Sequence, residues 1–143
     1  MKRKKRYSML IIIITLLVTG SCGTDKAERD KILSRTDLLA EKMLKAIDEN
    51  SYCDFSSDFS DSLKNEFGEN RLHDLHAFMK KSQGDYISKS FFSIIRGKDK
   101  VTVQYIAVYK IKTPAYTLSL TFNSSDGSGP ITAFNFLPFN VSR

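Results

Sequence analysis

Two histidines stand three residues apart in the run His73-Asp74-Leu75-His76, with Glu69 four residues before the first. Side chains at three- and four-residue steps share a helix face, so this set has a spacing that metal ligation can use. It lacks the His-Glu-x-x-His pattern of a zinc protease, and the chain has no further histidine to complete a site. A polar helix face is the simpler reading, and no metal is expected. Cys53 with His73 or His76 has the residue types of a thiolate–imidazolium pair, but nothing around Cys53 forms a protease signature. Tyr105, Tyr109 and Tyr116 fall on one face of an alternating pattern. Acid–base catalysis needs a titratable group in reach of the substrate, and this face offers phenols without a carboxylate. The three tyrosines are therefore candidate residues for binding a small apolar ligand. No catalytic residue is assigned and no cofactor is expected.

The remaining reactive side chain, Cys22, sits at the end of a different kind of segment. Five basic residues, Lys2 to Arg6, precede an apolar run from Met9 to Val18, and Thr19, Gly20 and Ser21 lead into Cys22. A charged start, a short apolar stretch and small residues mark a secretion signal. The run is ten residues long, and a membrane-spanning helix needs about 20. The end resembles the lipobox of bacterial lipoproteins, with Thr19 where Leu is usual. That resemblance implies cleavage before Cys22, a diacylglycerol thioether on its sulfur and an N-acyl chain such as palmitate. Two or three chains hold a protein on a bilayer, where one alone binds marginally. The expected partner is thus the lipid bilayer, and the expected location is the extracytoplasmic face of the cell membrane or outer membrane. The division expected is 1–21 signal peptide, 22–28 lipidated tether and 29–143 one domain. The six residues after Cys22, Gly23 to Glu28, span at most about 20 Å when extended.

Removing the signal changes the charge. The whole chain is +6, residues 1–21 carry +5 of it, and residues 22–143 hold 17 basic and 16 acidic side chains. The basic footprint that nucleic-acid binding requires is absent from the mature chain. What remains is segregated: residues 25–79 sum to −5 and residues 80–112 to +6. Lys89, Arg96, Lys98, Lys100, Lys110 and Lys112 are candidates for a basic sheet surface facing anionic headgroups or an acidic partner. The plainer account is helix–sheet charge complementarity with lysines blunting strand edges. With Cys22 acylated, Cys53 has no intramolecular partner, and a free cysteine is expected to be buried.

The elements that must position these residues come next. Ile32, Thr36, Leu39, Met43 and Ile47 recur at helical steps across residues 27–50. Phe55, Phe59, Leu63 and Phe67 are four apart and predict a second helix with Ser57 or Asp58 as its cap. A third helix carries Leu72, Leu75, Phe78 and Met79 to about Gly84. The period then changes to two. Strands are predicted over Tyr86–Arg96, Val101–Lys112, Tyr116–Asn123 and Ile131–Leu137, the last with a bulge because Ile131 and Phe134 are out of phase. Asn123–Pro130 is a Ser/Gly-rich loop whose single Asp126 falls short of a calcium site. Helices followed by an antiparallel meander give an α+β domain, with N-terminal helices packed on a curved sheet of about four strands.

This order resembles the nuclear transport factor 2-like (cystatin-like) superfamily. The resemblance is carried by Asp48-Glu49-Asn50-Ser51-Tyr52, Phe55, Phe59, Gly84-Asp85-Tyr86, Tyr105-Ile106-Ala107-Val108-Tyr109 and Ile131-Thr132-Ala133-Phe134. It implies a helix–sheet cone, and a homodimer through the exposed sheet face. The superfamily holds isomerases, dehydratases, transport factors and non-catalytic binding modules, so the fold does not select an activity. The cystatin loop pattern Gln-x-Val-x-Gly is absent. The expected function is a membrane-anchored, non-catalytic binding module at the cell envelope, with an envelope protein or small apolar ligand as partner. A hydrolase or isomerase using the cone pocket is the alternative, and an inhibitor or immunity-type protein is the third.

Overall fold

The computed structural model describes residues 21–139. Four helices come first: α1 (Ser21–Glu49), α2 (Tyr52–Ser56), α3 (Asp61–Glu66) and α4 (Glu69–Ser82). Four strands follow: β1 (Tyr86–Arg96), β2 (Val101–Tyr109), β3 (Tyr116–Phe122) and β4 (Ile131–Pro138). The strands form one antiparallel sheet in the order β1-β2-β3-β4, so β1 and β4 are its edges. The α+β architecture expected from the change of period is the one observed.

The long helix lies in the concave face of the sheet. Its apolar stripe buries Ile32, Ala40, Met43, Leu44 and Ile47 against Val103, Tyr105, Leu118 and Leu120 of the strands. Thr36 is fully buried in that stripe, and its hydroxyl is satisfied by the Ile32 carbonyl at 3.0 Å and the Tyr105 hydroxyl at 2.8 Å. The helix stops at Asn50, which adopts φ 58°. Ser51 N–H donates to the Ala46 carbonyl at 2.9 Å and Asn50 N–H to the Ile47 carbonyl at 3.4 Å. Those two bonds are the Schellman pattern, with Asn in the left-handed position it tolerates better than other side-chain-bearing residues. At its other end α1 includes residues 22–28, the segment read as the tether. Residues 1–20, where the expected signal lies, are outside the described residues.

Two expectations about local structure need correction. The single helix over Phe55–Phe67 is two short ones, α2 and α3, with a break at residues 57–60. The break exists because the chain there pairs with the sheet. Ile131 N–H donates to the Asp58 carbonyl at 2.8 Å, and Ser60 N–H donates to the Ile131 carbonyl at 2.9 Å. Ser60, not Ser57 or Asp58, caps the second helix by accepting from Leu63 N–H at 3.3 Å. Three of the four apolar residues still converge. Phe55, Phe59 and Phe67 all surround the ring of Phe134, with centroid distances of 5.4, 5.6 and 5.0 Å. The second correction is that β2 ends at Tyr109 rather than Lys112. Beyond it the backbone turns to the end of α4: Lys110 N–H meets the Asp85 carbonyl at 2.9 Å and Ile111 N–H the Gln83 carbonyl at 2.8 Å.

Register shifts set the faces of the edge strands. Ile131 pairs with Phe122 while Ala133 pairs with Thr121, so Thr132 is the bulge expected in β4. In β1 the shifts fall at Ile87 and Phe92. They turn Tyr86, Lys89, Phe91, Ile94 and Arg96 opposite the inward residues of β2. The outward face is uncharged along all four strands, and hydroxyls and amides link across it. Ser93 Oγ donates to Gln104 Oε1 at 2.6 Å, Gln104 Nε2 donates to Ser119 Oγ at 3.1 Å, and Thr102 meets Thr121 at 2.9 Å. Loop 123–130 folds back on α1, where Arg35 donates to the carbonyls of Gly127 and Gly129. Gly127, at φ 70°, lies against Ile32 and Val101, a conformation and a packing that both favour glycine.

Candidate functional site

The concave face brings two of the three candidate tyrosines into the centre of the core and the third to its edge. Tyr105 and Tyr109 are fully buried, and Tyr116 is nearly so. Tyr105 is held by Thr36, and burial pushes its phenol up to about 12. Tyr109 packs edge-on against Tyr86, Tyr116 and Phe136 at 5.8, 6.3 and 6.4 Å. Its hydroxyl is buried with no hydrogen-bond partner among the described residues, and burial raises its phenol well above the ordinary range. Tyr116 stacks on Phe136 at 5.1 Å. These side chains belong to the buried core between the long helix and the sheet.

A carboxylate–tyrosine pair does exist, at the seam between α1 and β1. Tyr86 O–H donates to Glu41 Oε2 at 2.9 Å. Lys89 lies 3.9 Å from the same carboxylate, pairs with Asp37, and sits 5.0 Å from the centroid of the Tyr105 ring. Desolvation, then the Glu41 hydrogen bond and charge, raise the Tyr86 phenol strongly. Asp37 and Glu41 are one turn apart on α1, which a sequence can show. Their partner Lys89 depends on the bulge at Ile87, which no local residue pattern announces.

Lys89 was expected on a basic surface, and instead faces inward with its side chain 8% exposed. Arg96, another of that set, reaches Glu28 at 3.1 Å and Asp25 at 3.9 Å. Lys98 and Lys100 are exposed at the β1–β2 turn, while Lys110 and Lys112 are exposed past the far end of β2. A nine-residue strand separates the two pairs by roughly 30 Å. The six cations therefore do not form one patch. The charge segregation is instead consumed where α1 meets β1.

The histidines are brought to the end of α1. His76 Nδ1 lies 2.9 Å from the Ile47 carbonyl, and His73 Nδ1 lies 3.2 Å from Asn50 Nδ2. They dock α4 on the long helix. Among the described residues no group of three or more His, Cys, Asp or Glu side chains could hold a metal ion. Cys53 is exposed, contrary to expectation. It lies on the outer side of α2, whose inward side is used by Phe55 and Ser56. Cys22 lies in the first turn of α1.

Two open grooves border the domain at its sheet edges. One, of about 530 Å³, runs between the start of α1 and β1 and is lined by Lys26, Arg29, Phe91, Phe92 and Arg96. The other, of about 450 Å³, runs between β4 and helices α3 and α4. Leu63, Phe67, Leu75 and Phe136 form its apolar lining, and Glu66, Arg71 and Asp74 its charged rim. Sequence reasoning missed both, because each is assembled from segments far apart in the chain. No helix among the described residues is long and apolar enough to cross a membrane.

No protein-family model and no curated protein matches the chain. Among solved structures it is similar to AclR, a candidate hydroxylase from Streptomyces galilaeus. The match is at 14% identity and a TM-score of 0.42, over 74% of this chain and 81% of that one.

Proposed function

We propose that this chain is a lipoprotein held at the cell envelope through acylated Cys22, whose single domain, nuclear transport factor 2-like in its order of elements, binds a partner without catalysis. The observation that carries the non-catalytic reading is the buried interior. Tyr105, Tyr109 and Phe122 lie fully buried between the long helix and the sheet. Enzymatic sites need an accessible pocket with convergent titratable groups. The hydrolase or isomerase reading would rest on Tyr86 and Glu41, the one hydrogen-bonded carboxylate–tyrosine pair on the inner face among the described residues. That carboxylate is already neutralised by Lys45 at 3.5 Å and Lys89 at 3.9 Å. The uncharged outer face of the sheet supports a homodimer, which light scattering of the purified protein tests.

Mass spectrometry of the protein from its own membranes tests the anchor. An acylated Cys22 as the first residue is expected; an intact Met1 terminus overturns it. Cross-linking and pull-down of that lipidated protein tests the binding reading, with a saturable stoichiometric partner as the expected result. Turnover of a small substrate abolished by Glu41→Gln would sink the non-catalytic reading.

A further inference from the structure

We infer that the groove beside β4 takes an extended peptide segment, with alternating apolar and basic side chains, as a fifth strand along Phe134–Pro138. The inference rests on the reading of the domain as a binding module and names the chemistry of what it binds.

The backbone phase of β4 carries the argument. Ile131 exchanges both of its main-chain groups with Asp58 and Ser60, so these groups point away from β3. At the other end Phe139 N–H donates to the Ala115 carbonyl at 2.7 Å and so points toward β3. Antiparallel pairing alternates between these two states. With Phe134 opposite Leu120, Phe136 opposite Leu118 and Pro138 opposite Tyr116, these three residues direct their main-chain groups outward. Pro138 has no N–H to lose there, which is where edge strands accept proline. Among the described residues, the outward groups of Phe134 and Phe136 have no backbone partner. An unpaired edge is a template for another strand.

The chain itself uses the first rung of this edge. Segment 58–60 bridges Ile131 in parallel fashion through Phe59. It then turns away into α3 under the Ser60 cap, leaving the following rungs open. What the turn leaves is a recess walled by Leu63, Phe67 and Leu75. Strand addition draws affinity from main-chain bonds and specificity from pockets for alternate side chains. The apolar wall selects apolar residues at every second position. Glu66, Arg71 and Asp74 on the rim are all exposed, none takes part in an ion pair among the described residues, and they sum to −1. That charge favours a basic segment over an acidic one.

The test uses the full lipidated chain in nanodiscs and an octapeptide in which Val and Lys alternate. Binding is expected to slow hydrogen exchange of the Phe134 and Phe136 amides by at least about tenfold. Methylating alternate peptide amides on the β4-facing side is expected to weaken binding by a similar factor, and so is replacing Lys with Glu. Glu66→Lys, a surface change, is expected to weaken the Val/Lys peptide and strengthen the Val/Glu one. The assignment is overturned by no binding, by unchanged exchange at Phe134 and Phe136, or by equal binding of the methylated peptide. It is also overturned by protection of those amides that rises with protein concentration without peptide, which would place a second copy on the edge. A partner cross-linked elsewhere on the domain removes this groove assignment while the binding-module reading stands; turnover removes that reading.

Discussion

Tyr109 carries a buried hydroxyl with no hydrogen-bond partner among the described residues. A buried polar group without a partner costs about 1–3 kcal/mol, so Tyr109→Phe is expected to leave stability unchanged or raise it by about 1 kcal/mol in denaturant melts. Tyr105 differs, because Thr36 bonds its hydroxyl. Its phenol is raised in the folded state to about 12 from 10.0. The neutral form is thus favoured by folding. That contribution is complete below the unfolded value and is lost as pH rises from about 10 through about 12. Absorbance titration is expected to show the phenols of Tyr86, Tyr105 and Tyr109 ionising only as the fold is lost, with no phenolate from them at the ordinary value. Cys53 teaches a different lesson at this scale. A lone cysteine is usually buried, but here the inward positions of α2 are taken by Phe55 and Ser56.

At the scale of elements, one serine decides where the short helices divide. Ser60→Ala removes the cap of α3 and is expected to cost about 1 kcal/mol. Ser60 meets Ile131 through its backbone N–H, which alanine keeps, so exchange at the Ile131 amide is expected to stay unchanged in the same variant. Strands β2 and β3 were legible in sequence because strict alternation has one solution. The β4 bulge was legible because Ile131 and Phe134 break that alternation while both are too apolar to face water. The α2–α3 break was not, since a four-residue spacing of Phe55, Phe59, Leu63 and Phe67 is met equally by one helix or by two that meet at a common ring, Phe134. The phase of β1 was hidden as well. Ile87 and Phe92 look like core residues, yet they are the positions where the register shifts, and both are exposed. Lys89 was consequently read onto the wrong face. The β4 groove had no local signature at all, because its walls come from residues 63–75 and its open rungs from residues 134–138.

For the molecule as a whole, the opposite charges of helices and sheet meet at one seam. Lys89 joins Asp37 and Glu41, and Arg96 joins Glu28 and Asp25. Lys89→Ala leaves two carboxylates facing each other over an apolar hole. It is expected to cost about 2 kcal/mol, between the values for exposed and buried pairs. Arg96→Ala, at an exposed pair, is expected to cost under about 1 kcal/mol; thermal melts of both variants check the order. The helix that carries this seam also sets how the domain stands. Twenty-nine residues of α1 make a rod of about 43 Å. Cys22 lies in its first turn. Under the proposed anchoring at Cys22, the bilayer and the domain share a stiff axis, so the domain inherits the tilt of its anchor and loses most of its rotational freedom. Fluorescence anisotropy of a label on the exposed side of α4 is then expected to decay slowly in nanodiscs. A Gly-Ser insertion between Thr24 and Asp25 is expected to quicken it, and unchanged decay would mean the joint already swivels. A peptide docking at β4 would meet a receptor held at fixed height and heading, for which orientation at the membrane has been settled before encounter.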